Sequence, residues 1–83
     1  MIDKQKILDH ICYTELVYER INKKLKTNLS KGQIESYLLK ILNETEVNSF
    51  SKIGKNFYVI NRMFKIKITI NSNTFRIITV DKI

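Results

Sequence analysis

Apolar residues recur along the first part of the chain at intervals of three to five, as Ile7, Leu8, Ile11 and Cys12, then Leu16, Val17, Ile21 and Leu25. Such spacing gathers them on one face of an α-helix, so residues 3–27 read as helical. Continuity is in question at Cys12-Tyr13-Thr14, where Thr14 suits the N-cap of a second segment and Glu15 its positive N-terminus. Glu19 and Lys23 form an i,i+4 pair in the favourable order, and Thr27-Asn28 marks the end. The next helix starts more sharply. Ser30 followed three residues later by Gln33 is a capping box. Ile34, Tyr37, Leu38, Ile41 and Leu42 then repeat at helical spacing, which predicts a helix over 31–44.

From residue 49 the period becomes two. Phe57 and Val59 alternate with Tyr58 and Ile60, and Phe64, Ile66, Ile68 and Ile70 with Lys65, Lys67, Thr69 and Asn71. This is the pattern of strands with one buried side. Gly54, Asn61-Arg62 and Asn71-Ser72-Asn73-Thr74 supply turns between strands predicted at about 49–53, 56–61, 64–71 and 74–80. The chain therefore reads as one α+β domain over residues 1–83, with two N-terminal helices packed on one face of a three- to four-stranded antiparallel meander. If Ser72-Asn73 is a two-residue loop, Ile70 opposes Phe75, Ile68 opposes Ile77 and Ile66 opposes Thr79 on the core side. The other side then carries Thr69 opposite Arg76, Lys67 opposite Ile78 and Lys65 opposite Val80.

Charge sharpens this picture, because the net +7 is unevenly placed. Residues 1–46 carry eight Lys/Arg against seven Asp/Glu, whereas residues 47–83 carry seven against Asp81 alone. A concentrated positive field draws polyanions toward it. The expected partner is nucleic acid, RNA ahead of DNA. Lys52, Lys55, Lys65, Lys67 and Arg76 would meet phosphates, and Tyr58 would offer a base a stacking platform. The competing reading makes Lys65 and Lys67 the solvated face of an edge strand, where lysine discourages aggregation. Ile78 and Val80 on that side instead suggest cover by a protein partner or a second copy of the chain. The alternative function is thus an interaction module, either a homodimer or a small phage-type inhibitor.

Composition removes other classes. One cysteine, one histidine, two glycines and no proline leave no zinc cluster and no Gly-rich phosphate loop, and no cofactor is expected. The apolar runs are too short to span a bilayer and the N-terminus lacks a signal-peptide pattern, so the expectation is a soluble cytoplasmic protein without membrane contact. Richness in Lys, Ile and Asn fits an AT-rich bacterial or phage genome. His10 reads as a surface or capping residue and Cys12 as a core residue. Two positions apart on one helix, they point away from each other and make no nucleophile pair. Glu15, Glu19 and Arg20 would serve acid–base or phosphate chemistry if they faced the sheet, and are otherwise a solvated helix face. No spacing is diagnostic of an enzyme. If the protein is one, the expected activity is that of a toxin-type ribonuclease.

Three stretches carry a resemblance: Tyr13-Thr14-Glu15-Leu16 with Glu19-Arg20-Ile21, then Lys52 through Val59, then Ile68-Thr69-Ile70-Asn71 with Ile77-Ile78-Thr79. Together they resemble the bacterial family catalogued as domain of unknown function 3781, a likeness that supports the domain boundaries and implies no activity. More distantly, two helices followed by a meander ending in Ile77-Ile78-Thr79-Val80 resemble the layout of the barnase/RelE-like ribonucleases. Those proteins place RNA against the open face of such a sheet. The layout carries over no catalytic residue.

Overall fold

The computed structural model describes residues 2–83. Three helices, α1 (Lys4–His10), α2 (Glu15–Leu25) and α3 (Lys31–Glu44), precede a 3-10 turn at Val47–Ser49. Four strands follow, β1 (Phe50–Ile53), β2 (Asn56–Asn61), β3 (Ile66–Asn71) and β4 (Ile77–Lys82). They form one antiparallel sheet in the order β1-β2-β3-β4. The class is α+β, with the helices N-terminal.

Local signals govern α3. Ser30 Oγ accepts from the Gln33 amide at 3.2 Å and Gln33 Oε1 accepts from the Ser30 amide at 2.9 Å, closing the capping box. Ile34, Leu38, Ile41 and Leu42 are then buried along one stripe. At the far end Thr45 Oγ1 donates to the Ile41 carbonyl at 2.6 Å and accepts from Asn61 Nδ2 at 2.9 Å. Asn61 Oδ1 accepts from the Phe64 amide at 2.9 Å. This chain ties the β2–β3 turn to the end of α3 and satisfies two buried polar residues that would otherwise cost free energy.

The predicted helix over 3–27 is in fact two. Ile11 leaves the helical region at ψ 140°, and Cys12 pairs in parallel with Arg76. The Cys12 amide donates to the Phe75 carbonyl at 3.0 Å, and the Ile77 amide donates to the Cys12 carbonyl at 2.9 Å. Ile11 to Thr14 are weak helix formers, so two long-range backbone bonds outweigh the apolar stripe. Thr14 holds the N-cap position of α2 without a side-chain cap bond. Cys12, expected in the core, is exposed as a result, with Sγ 3.5 Å from the Thr74 carbonyl.

The β3–β4 register also departs from expectation. Asn71 pairs with Arg76, because its amide donates to the Arg76 carbonyl and its carbonyl accepts from the Phe75 amide, both at 2.9 Å. The loop is thus four residues, Ser72–Phe75, closed by Phe75 at φ 61°. An aromatic residue rarely adopts this left-handed conformation, which costs of order 1–3 kcal/mol. Its ring packs 5.4 Å from the His10 ring and 6.3 Å from the Phe57 ring, contacts that offset the strain. Beyond the loop Ile70 pairs with Ile77 but Thr69 with Thr79, leaving Ile78 as the extra residue of a β-bulge. The bulge reverses side-chain parity, so Val80 pairs with Ile68 in the core rather than facing out beside Lys65. Phe64 and Lys65 precede β3 instead of opening it, with Lys65 left-handed at φ 56°.

One hydrophobic cluster joins the elements. Ile7 comes from α1, Val17, Ile21 and Leu25 from α2, Leu38 and Ile41 from α3, and Val59, Ile68, Ile70, Ile77 and Val80 from the strands. Each fully buried Ile, Leu or Val contributes about 1.5–3 kcal/mol relative to exposure.

Candidate nucleic-acid interface

Strand alternation sorts the sheet into rows. Phe50, Val59, Ile68 and Val80 form a buried row, and Lys52, Phe57, Ile70 and Ile77 lie on the same side of the sheet. Ser51, Tyr58, Thr69 and Thr79 form a row on the other side, flanked by Ile60, Lys67 and Asp81. The six candidate interface residues, of which strand alternation predicts Lys65, Lys67 and Arg76 on one side, are therefore divided. Tyr58 and Lys67 do come together, with Lys67 Nζ 5.4 Å from the Tyr58 ring centroid. Such a cation–π contact is worth about 0.5–1 kcal/mol when exposed. Lys52 belongs to the opposite side, beside Phe57, Lys6 and Phe75. Lys55 sits at the tip of the β1–β2 loop, where Gly54 at φ 60° makes the two-residue turn possible. Lys65 stands at the far end of the sheet beside Lys82, apart from Arg76. The longer loop and the bulge displace Arg76 relative to Lys65 and Lys67, whereas the β1–β2 register puts Lys52 on the core side and Lys55 at a turn.

The density of cations shifts to the β4 edge, because α2 runs beside it. Val17, Ile21 and Leu25 are buried, whereas Leu16, Arg20, Lys23 and Lys24 are exposed next to that stripe. Arg20 Nη1 donates to the Ile78 carbonyl at 3.5 Å, and Lys24 Nζ meets Asp81 Oδ1 at 2.8 Å. Arg20 thus faces the sheet, the condition for phosphate chemistry at that position. Two adjoining clefts lie along the α2–β4 seam. One of about 260 Å³ is lined by Thr14, Leu16, Arg20, Arg76 and Ile78, and one of about 790 Å³ by Leu16, Glu19, Arg20, Lys23, Lys24 and Thr79. They share Leu16 and Arg20 and form one groove with Arg76 at one end and Lys23 and Lys24 at the other. Thr79 Oγ1 is buried there without a hydrogen-bond partner. Lys67 pairs in register with Asp81, which links the groove to Tyr58 on the sheet.

Among the described residues only two ion pairs form, Lys24–Asp81 and Lys31–Glu15, from fifteen Lys/Arg side chains. Arg20, Lys23 and Arg76 keep their charge available to an external anion. Glu15 is held by Lys31 at 2.7 Å and faces away from this role. Next to it Tyr18 donates to Glu35 Oε2 at 2.7 Å, and that hydrogen bond is the main reason the phenol is pushed up to about 12. Tyr13 stacks on Tyr18 at 5.4 Å, and burial raises its phenol still further. Lys23 and Lys24 were absent from the sequence-based patch. Their signal was the run Leu16, Arg20, Lys23 and Lys24 flanking the buried helical stripe, which acquires meaning only once α2 is known to border β4.

The fold and groove define a small basic α+β domain with a cationic seam between a helix and an edge strand. The chain belongs to the family described as Protein of unknown function (DUF3781), whose model matches residues 5–81. No curated protein and no solved structure is significantly similar to it. No helix among the described residues is long and apolar enough to cross a membrane, and no group of three or more His, Cys, Asp or Glu there is placed to hold a metal ion.

Proposed function

We propose that the helices cover one side of the sheet, and that the other side, continued by the α2–β4 groove, binds single-stranded nucleic acid, RNA in preference to DNA. The observation that carries this reading is the groove itself. Arg20, Lys23, Lys24 and Arg76 line it, and only Lys24 is neutralised by a carboxylate. A phosphate chain along the seam meets successive cations, and Arg20 and Arg76 offer planar donor forks suited to phosphate oxygens. A base leaving the groove reaches Tyr58, whose ring already stacks with a cation. The preference for RNA comes from the sequence resemblance in element order to ribonucleases that hold RNA against an open sheet, a resemblance that no matched structure supports. The reading is one of binding. His10 packs against Phe75, beside the Arg76 end of the groove, without lining it, so the lining supplies cations and the Glu19 carboxylate but no imidazole.

The test is fluorescence anisotropy with an RNA of about 12 nucleotides across a salt series, repeated with DNA of the same sequence. Four phosphate contacts predict a slope of log K against log salt of roughly −3, at about −0.7 per contact. Binding absent at low salt, or independent of salt, contradicts the proposal.

A further inference from the structure

Past the Lys24 end of the groove lies a different kind of cavity, of about 630 Å³, between the α2–α3 loop, α3 and the start of β3. Leu25, Leu29, Tyr37, Phe64 and Ile66 supply apolar walls, with Tyr37 and Phe64 edge to face at 6.1 Å. The size lies within the range of small-molecule sites.

The walls are built rather than incidental. Asn22 Oδ1 accepts from the Leu29 amide at 2.9 Å and from Thr27 Oγ1 at 2.8 Å, and Asn22 Nδ2 donates to the Leu29 carbonyl at 3.0 Å. The loop is clamped to α2 by one side chain. Phe64 is fixed from the other side through Asn61. Lys65, in the left-handed conformation, accepts from the Ile83 amide at 3.1 Å through its carbonyl.

Polar capacity at the mouth is largely used internally. Gln33 is engaged in the capping box and Thr27 with Asn22. Two charged side chains remain, Lys65 and Lys82, both exposed and neither within 4.0 Å of a carboxylate among the described residues. An apolar chamber with two free ammonium groups at its rim selects one chemistry.

We infer that this cavity binds a small organic carboxylate with a flat apolar body, the body seated between Leu29 and the Tyr37–Phe64 pair and the carboxylate between Lys65 and Lys82. The inference is independent of nucleic-acid binding, because none of its residues lines the α2–β4 groove.

The test is titration of the full chain with 1-naphthoate, followed by amide chemical shifts. Saturable shifts confined to Leu25, Leu29, Tyr37, Phe64 to Ile66 and Ile83 are expected. The neutral isostere 1-naphthamide should bind about tenfold more weakly, and Lys65→Gln/Lys82→Gln should lose a similar factor for the carboxylate while leaving the amide unchanged. Leu29→Trp fills the chamber and should abolish binding of both without altering the shifts of β1. No saturable shift up to about 5 mM, shifts centred elsewhere, or equal affinity for acid and amide would each overturn the inference.

Discussion

The two edges of the sheet carry similar backbone and opposite surroundings. At the β4 edge α2 runs alongside, Cys12 adds a parallel bridge at Arg76, and the flanking side chains Arg20, Lys23 and Lys24 crowd one seam. At the β1 edge Ser51, Lys52 and Ile53 are exposed, and Ile53 retains two thirds of its accessible surface at 66%. Lys52 there lines a separate cleft of about 330 Å³ with Lys6 and Asp3, and Lys55 sits at a turn tip, so no row of cations forms. The contrast shows that a positive half-chain is not a site. In the proposed reading, charge becomes a binding surface where a second element lines up cations along a cleft, and that element, α2, comes from the nearly neutral half of the sequence.

The largest expected difference between the edges is in stability. Ile77→Ala removes a side chain that is 2% exposed, and should cost about 2–4 kcal/mol in chemical denaturation. Ile53→Ala at the other edge should fall within about 0.5 kcal/mol. Similar losses at both would mean that β1 is covered in solution.

In binding, Tyr58→Ala should weaken RNA affinity by about 1–3 kcal/mol if a base stacks there, whereas Tyr58→Phe keeps the ring and should bind almost normally. A smaller effect of opposite sign sharpens the same picture. Asp81 holds Lys24 and opposes Lys67, so Asp81→Asn should raise RNA affinity by about two- to threefold and steepen the salt slope. An unchanged affinity would remove the Lys24 end of the groove from the footprint.

The smallest expected effect lies away from both edges. The hydrogen bond to Glu35 holds the Tyr18 phenol up at about 12, above its ordinary value of 10.0. Between these values the unfolded chain has lost the proton that the folded chain keeps. The Tyr18 contribution to stability is therefore constant below pH 10 and is lost as pH rises toward 12. Glu35→Gln should bring the ultraviolet titration of Tyr18 back toward 10, and Tyr18→Phe should delete that component of the titration.

How much of this was legible beforehand follows from how local each cause is. The α3 boundaries rest on a capping box and an apolar stripe within fifteen residues (Ser30 to Glu44), all of it visible in sequence. The alternation of β2 and β3 was visible too. The helix break at Ile11 and the β3–β4 register share one non-local cause. Residues 75–77 bond to Cys12, more than sixty positions away, and the four-residue loop and bulge accommodate that bridge. Strand periodicity cannot see either event, and a single bulged residue is enough to move Val80 from the outer side to the core. The expected apolar pair Ile78–Val80 is lost with it, and the partner surface built on that pair loses its second member. The cationic groove was half legible. Strand alternation points to Arg76 and the helix face to Arg20, while Lys23 and Lys24 gain their meaning only from the tertiary position of α2.

The most direct test of the central claim is a matched pair of charge reversals read by RNA anisotropy at one salt concentration. Arg20→Glu/Arg76→Glu and Lys52→Glu/Lys55→Glu change the net charge by the same amount at opposite edges of the sheet. The groove predicts that the first pair loses more than about tenfold in affinity and the second stays within about threefold. Equal losses would mean that net charge alone attracts the RNA, and a greater loss from the second pair would place the binding surface at β1 and contradict the account.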